Sequence, residues 1–332
     1  MKFQITHHTR YVYAETVLLS HNIVRLRPRE REQQTCLRHE LSISPAPREK
    51  KEDLDYFGNP MAYFSLEESH NRLTIDAFSE VEVDSRPPEN LSDGASWERV
   101  VGMLRDPGNL LTLLAREFSF DSPYVPRSPE LAEYARPSFP PGRPLLQCVF
   151  DLTERIHRDF RFLPGSTKVG TPVADVLRLR RGVCQDFTHL QIGCLRSLGL
   201  AARYVSGYLV TKPPPGKPRL VGADVSHAWV GVYSPEYGWV DFDPTNGVMP
   251  WNSHITLAWA RDYDDIGPIR GVLVGGRRQH LEVSVDVRPM GADAAASEFP
   301  DSKSPDSKSP DIKSSDIDSG GREPGEPPPI LQ

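Results

Sequence analysis

An α+β fold is predicted by three features of the sequence. Apolar and polar residues alternate through the first eighty-odd positions, at the period of half-buried strands. Helical spacing then dominates as far as Gly199, and strand alternation returns from Ala202 onward. Helices first and strands second, joined by tight hairpins rather than βαβ crossovers, predict a helical layer on a largely antiparallel sheet.

In the opening stretch Phe3, Ile5, Tyr11 and Tyr13 alternate with polar residues, as do Leu41 and Ile43 before a Pro45-Ala-Pro47 break. Leu73, Ile75, Ala77, Val81 and Val83 continue the pattern. The DYFGNP segment at Asp55 is a turn signal with a left-handed Gly58 or Asn59. Short strands at this spacing predict a β-sandwich-like module. SRPPENLSDG from Ser85 marks its end.

Helices are expected over Trp97–Leu104, Leu110–Phe118 and Leu145–Phe160, the last with Val149, Leu152, Ile156 and Phe160 on one stripe. Thr171-Pro172 is an N-cap and N1 pair for a further helix ending near Gly182. Phe187, Leu190, Cys194 and Leu198 define a buried helix that starts at Cys184 and stops at Gly199, a C′ glycine. Ala202–Val210, Ser226–Tyr233 and Gly238–Asp243 are predicted core strands, followed by strands at Val272–Val274 and Leu281–Val287. Pro-rich residues 121–144 read as a surface connection or a lid. From Pro289 the chain is low-complexity. PDSKS at Pro300 repeats at Pro305 and degenerates at Pro310, a composition that cannot bury a core and reads as disordered.

Composition narrows the class. The 332 residues suffice for two domains. The net charge of −6 is carried almost wholly by the tail, where nine acidic residues face four basic ones from Gly291 onward. The body is near neutral, which gives no footprint for nucleic acid. No apolar run is long enough to span a bilayer, and the N-terminus lacks the apolar core of a signal peptide. Four dispersed cysteines without a CxxC pair fit free thiols in a reducing compartment, so a cytoplasmic location is expected.

The chemistry concentrates after Gly182. Cys184 falls in the first turn of its helix, where unpaired N–H groups and the helix dipole favour a thiolate and can receive an oxyanion. Cys194 lies on the apolar stripe and reads as core. His227 and Asp243 flank SPEYG, a hairpin turn at Ser234–Gly238. A loop centred on residue 235 sets them directly opposite, on one face, about 5 Å apart at Cβ. A carboxylate there accepts one imidazole N–H and leaves the other nitrogen for a cysteine. Asp241 shares that face and is the alternative acid, and Asp224 is a weaker one. Asp186 reads as a helix cap; His189, Tyr208, Trp229 and Trp239 read as packing. His7, His8 and His254 have no metal-ligand spacing, and neither a metal nor a cofactor is expected.

GVCQDFTHLQIGCLRSLGLAARYVSGYL, SHAWVGVYSPEYGWVDFDPTNG and RDYDDIGPIRGV together resemble the bacterial transglutaminase-like superfamily. The first eighty-odd residues resemble the β-rich region that often precedes its core. The resemblance implies a papain-like transglutaminase core, its nucleophile helix packed on an antiparallel sheet. It divides the chain into a β-rich module over 1–84, a linker and helical connection over 85–144, a catalytic core over 145–289 and a tail over 290–332. It places the nucleophile on Cys184, the base on His227 and the acid on Asp243 rather than Asp241. Cysteine-dependent hydrolysis of amide or peptide bonds through a thioester follows, with a protein or peptide as substrate and neither nucleic acid nor membrane as partner. Acyl transfer to an amine is the alternative, less favoured because no DxDxDG calcium loop occurs. An inactive scaffold that binds a protein through the β-module is the third reading.

Overall fold

A computed structural model describes residues 1–210, 225–290 and 330–331. The PDSKS repeats and Asp224 lie outside them. The first strand, β1 (Lys2–Val24), is far longer than the two short strands the alternation suggested. It is followed by β2 (Gln34–Ser44), β3 (Glu49–Leu54), β4 (Pro60–Leu66) and β5 (His70–Val83). Both edges of β1 are used along its length, with β5 and β4 pairing to it antiparallel at different levels. Register shifts between Val12 and Val17 bend β1, so the module is one curled antiparallel sheet.

A helical layer follows: α1 (Trp97–Arg105), α2 (Leu110–Arg116), α3 (Pro129–Ala135) and α4 (Leu145–Asp159). Next come a two-residue strand β6 (Arg161–Phe162), α5 (Val173–Leu179), its parallel partner β7 (Arg181–Gly182) and α6 (Cys184–Ser197). The second sheet contains β8 (Ala202–Leu209), β9 (Val225–Ser234), β10 (Gly238–Phe242) and β11 (His254–Ala260), in the order β10-β9-β8-β11 and antiparallel throughout. The predicted helices and the Ala202, Ser226 and Gly238 strands all form. The α+β class, the helix-on-sheet core and the β-rich N-terminal region are as the sequence indicated.

After α7 (Tyr263–Ile266), the strands β12 (Ile269–Gly275) and β13 (Gln279–Met290) return to the first sheet. They pair with β1 over Val17–Val24 and Lys2–Tyr13. The segment expected to close the core therefore completes the N-terminal sheet; a two-residue strand β14 (Ile330–Leu331) pairs with β12. Residues 85–144 are likewise more than a linker: Val100, Leu104, Phe118, Leu131 and Phe139 are buried in the same apolar cluster as Leu190 and Cys194 of α6.

The small sheet lies between two apolar layers. Its contacts with the helices include Tyr204, Val230 and Phe242. A separate cluster joins Tyr208, Ile255 and Leu257 to Phe3, Val81 and Val287 of the curled sheet. Polar contacts finish the seam along β11, the strand at one edge of the small sheet. Gln34 donates from Nε2 to the Thr256 carbonyl at 2.7 Å and accepts the Thr256 N–H at 2.8 Å. Asn59 does the same for Trp259, at 2.9 Å in each direction. Two side-chain amides thus satisfy an edge that would otherwise be open to further strand pairing. The DYFGNP turn delivers Asn59 because Gly58 adopts φ +73° and Asp55 Oδ1 accepts the Phe57 and Asn59 N–H groups. Asn59→Ala should cost about 2–4 kcal/mol, since it strands one donor and one acceptor of Trp259. An unchanged urea midpoint would show that the seam does not depend on this amide.

Candidate functional site

The site is built from the N-terminus of α6 and one end of the small sheet. The β6–β7 pair fixes the chain just before α6: Phe162 is in register with Gly182, and the Leu163 N–H donates to the Gly182 carbonyl at 2.9 Å. Asp186 then caps the helix as the sequence suggested. Its Oδ2 accepts the Val183 N–H at 2.7 Å and the Thr167 hydroxyl at 2.6 Å. These bonds set Cys184 as the first helical residue, partly buried. Cys194 is fully buried in the core, and burial pushes its thiol up to about 12.

His227 comes from β9 and is buried. Its partner across β8 is Gly207, which leaves room for the Trp229 ring; a Cβ at 207 would overlap that ring and the Ile255 carbonyl. His227 Nε2 donates to Asp243 Oδ2 at 2.7 Å. The Cys184 side chain is close enough to the same imidazole to help raise its pKa. With Nε2 engaged by the carboxylate, Nδ1 is the ring nitrogen turned away from it.

The His227–Asp243 contact forms through a register that differs by one residue from the predicted one. Gly238 pairs with Ser234 and Phe242 with Val230, so the loop is Pro235–Tyr237 and is centred on 236. In that register Asp243 is diagonal to His227 rather than opposite it, and it sits just past the end of β10. Even spacing keeps both on one face, and the turn after β10 brings the carboxylate back. The Asp243 N–H donates to the Val248 carbonyl at 2.8 Å, and the Val248 and Gly247 N–H groups donate to the Asp243 carbonyl.

Five donors converge on the Asp243 carboxylate. Oδ1 accepts the Thr245 and Asn246 N–H groups at 2.9 and 3.2 Å. Oδ2 accepts His227, Asn246 Nδ2 at 2.6 Å and His254 Nε2 at 3.0 Å. Burial alone would raise this acid, but His227 and His254 hold it far below the usual carboxylate range. Burial alone would lower His227; the Asp243 charge and bond, together with Cys184, instead raise it to about 10. At neutral pH the imidazole therefore holds its proton.

Two residues of the site escaped the sequence reading. His254 was set aside for lack of metal spacing, yet β11 carries it onto Asp243. Its Nδ1 meets Ser253 Oγ at 3.1 Å, and the Trp229 ring packs edge-on at 5.2 Å. The donor atoms of His227, Asp243 and His254 lie within 4.8 Å of one another. Asn246 is the second; its position in DPTNG, three residues after an acid at a strand end, is an Asx-turn signal in the sequence. Asp241 lies elsewhere. It pairs with Arg31 at 2.9 Å on the seam between the sheets, beside Arg203, whose guanidinium stacks between Trp239 and Trp259 at 4.2 and 3.7 Å. His189 is buried against Tyr204 and accepts the Tyr263 N–H at 3.2 Å.

A thiol at a helix start, an imidazole bonded to a buried carboxylate, and a small antiparallel sheet are the elements of a papain-like fold. The chain belongs to the transglutaminase-like superfamily. Residues 139–244 match the transglutaminase-like superfamily core and residues 3–82 the bacterial transglutaminase-like N-terminal region. An uncharacterized protein of Mycobacterium tuberculosis is 41% identical over 301 residues, which cover 88% of this chain and 94% of the relative. One from Mycobacterium leprae is 31% identical over 291 residues, covering 86% and 98%. A protein-glutamine gamma-glutamyltransferase of Pseudomonas aeruginosa is 30% identical over 128 residues, 38% of this chain and 19% of that enzyme. The crystal structure of a candidate cysteine protease from Cytophaga hutchinsonii shares the fold, with a TM-score of 0.65, 23% identity and coverage of 86% and 90%. Among the described residues no helix is long and apolar enough to cross a membrane.

Proposed function

We propose that this chain hydrolyses amide or peptide bonds through a thioester, with Cys184 as nucleophile, His227 as acid and base, and Asp243 as the orienting acid. The observation that carries this reading is the buried Asp243–His227 bond of 2.7 Å, on an imidazole whose pKa the nearby Cys184 helps raise. The Cys184 thiolate attacks the substrate carbonyl carbon, forming a C–S bond and an oxyanion. The His227 imidazolium gives its Nδ1 proton to the departing nitrogen, the C–N bond breaks and a thioester remains. His227, now neutral, takes a proton from water as the water oxygen attacks the thioester. The C–S bond breaks, acid is released and the thiolate–imidazolium pair is restored. Throughout, Asp243 stays ionised and stabilises the charge on His227.

A second reading is favoured by the match to the Pseudomonas aeruginosa glutamyltransferase. In it an amine, rather than water, attacks the same thioester. A glutamine-peptide library incubated with and without a fluorescent amine separates the two. Release of ammonia or cleaved peptide without label is expected; label incorporation exceeding hydrolysis would overturn the hydrolase reading.

His254 enters this proposal as a positioning residue. His254→Phe removes one charged hydrogen bond from Oδ2, and a loss of about tenfold in kcat/KM and in the Cys184 alkylation rate is expected. His254→Gln, which retains a donor, should recover most of it. Equal loss in both variants would argue for a packing role only. A cytoplasmic location is part of the same reading, because Cys36, Cys148, Cys184 and Cys194 are all free thiols. Thiol trapping in intact cells would overturn it by finding them oxidised.

A further inference from the structure

Helix α2 is inside out. Its sequence is LLTLLAR, and the side chains turned inward are the small ones, Thr112 and Ala115. Thr112 is fixed by the Asn109 side chain, which accepts its N–H at 2.9 Å, and by the Tyr233 hydroxyl at 3.1 Å. At about 100° per residue, the four leucines then share the outer face. Leu110, Leu111, Leu113 and Leu114 are 66, 70, 52 and 58% exposed. Surface helices of water-soluble folds place such residues inward. Tyr56, itself 81% exposed, reaches the C-terminal end of this face through a 3.3 Å bond to Glu117, and exposed Phe120 lies under the Arg116 guanidinium.

We infer that this face is the two-fold interface of a homodimer. The leucines with Tyr56 and Phe120 offer on the order of 700 Å² per copy, close to the ~800 Å² per partner of a standard interface and above the roughly 300–600 Å² of a typical monomer's largest apolar patch. The rim selects the occupant. Arg105 and Asp106 precede the helix, Arg116 ends it, and Glu117 and Asp121 follow. Two copies of α2 crossed antiparallel bring the Asp106 end of one against the Arg116 end of the other, and the same contact recurs across the axis. An anionic lipid surface would attract the arginines and repel Asp106 and Glu117, while Asp121 is paired with Arg127 at 2.7 Å. The PDSKS repeats of the C-terminal tail carry no large apolar side chain to set against four leucines.

Sedimentation velocity of the full chain over roughly 1–100 μM tests the assignment. A dimer is expected, and Leu111→Glu and Leu114→Glu should each weaken it at least 100-fold. Both side chains point outward, so the urea midpoint and the Cys184 alkylation rate should match the parent and separate lost association from lost folding. A parent chain that stays monomeric, or Glu variants that associate as tightly as the parent, would overturn the dimer. So would a monomer that co-sediments with phosphatidylglycerol vesicles in a leucine-dependent way, which would assign the face to a membrane.

Discussion

Cys184→Ala should abolish turnover, with a loss of about 10⁵–10⁶ in kcat, because the proposed reaction has no covalent route without the thiol. The same residue should identify itself in the parent protein under limiting iodoacetamide. Burial pushes Cys148 and Cys194 up to about 12 and raises Cys36, whose sulfur also donates to the Arg38 carbonyl at 3.5 Å. None of these three has an imidazolium beside it, whereas Cys184 lies beside His227. At pH 7 the rate at Cys184 should exceed that at any other cysteine by on the order of 10². Adducts mapped by mass spectrometry decide the matter. First reaction at Cys36 or Cys148, with Cys184 inert, would remove the nucleophile from the mechanism, whatever the activity assays show.

Much of this arrangement was legible because the relevant signals are local. Helix spacing after Cys184, a glycine stop at 199 and Pro–Gly punctuation between His227 and Asp243 depend on neighbours in the chain, and these elements form where expected. What the sequence concealed is set by distant partners. β11 is buried along nearly its whole length, so HITLAWA shows no alternation to mark it as a strand. With β11 unseen, His254 had no path to Asp243. The hairpin register missed by one residue because the loop closes between Ser234 and Gly238, and no rule of composition separates a loop centred at 235 from one centred at 236. The return of β12 and β13 to the first sheet was hidden for a different reason. Their alternation is that of any half-exposed strand, and only the free edge of a 23-residue β1 determines where they go.

Asp243→Asn should cost about 10³–10⁴ in kcat/KM and should also move the basic limb of the pH profile. An asparagine serves well in a site where the acid's place has one imidazole to satisfy. Here all five neighbours of the carboxylate are donors. Whichever way the amide is turned, its NH₂ meets donors: two backbone N–H groups on one side, or His227, His254 and Asn246 on the other. A destabilisation of about 1–3 kcal/mol should accompany the loss of activity. The pH effect follows from what holds the proton on His227. Burial lowers its pKa, yet the Asp243 charge, the strongest influence in the other direction, helps hold it at about 10. Removing that charge lets burial prevail, so the imidazole becomes neutral near or below pH 6.5. In the parent, kcat/KM should hold as pH rises until it falls near 10; in Asp243→Asn the fall should begin at least three units lower. Stability should follow the same signs. The His227 contribution is complete below pH 6.5 and is lost as pH rises towards 10, whereas that of Asp243, whose folded pKa is depressed, is present above the unfolded value of 3.8 and is lost as acid protonates it. Urea midpoints across pH for parent and variant measure both. A variant that keeps the parent's basic limb would mean that Asp243 does not hold the His227 proton, and the charge assignment at the centre of the proposed mechanism would fail.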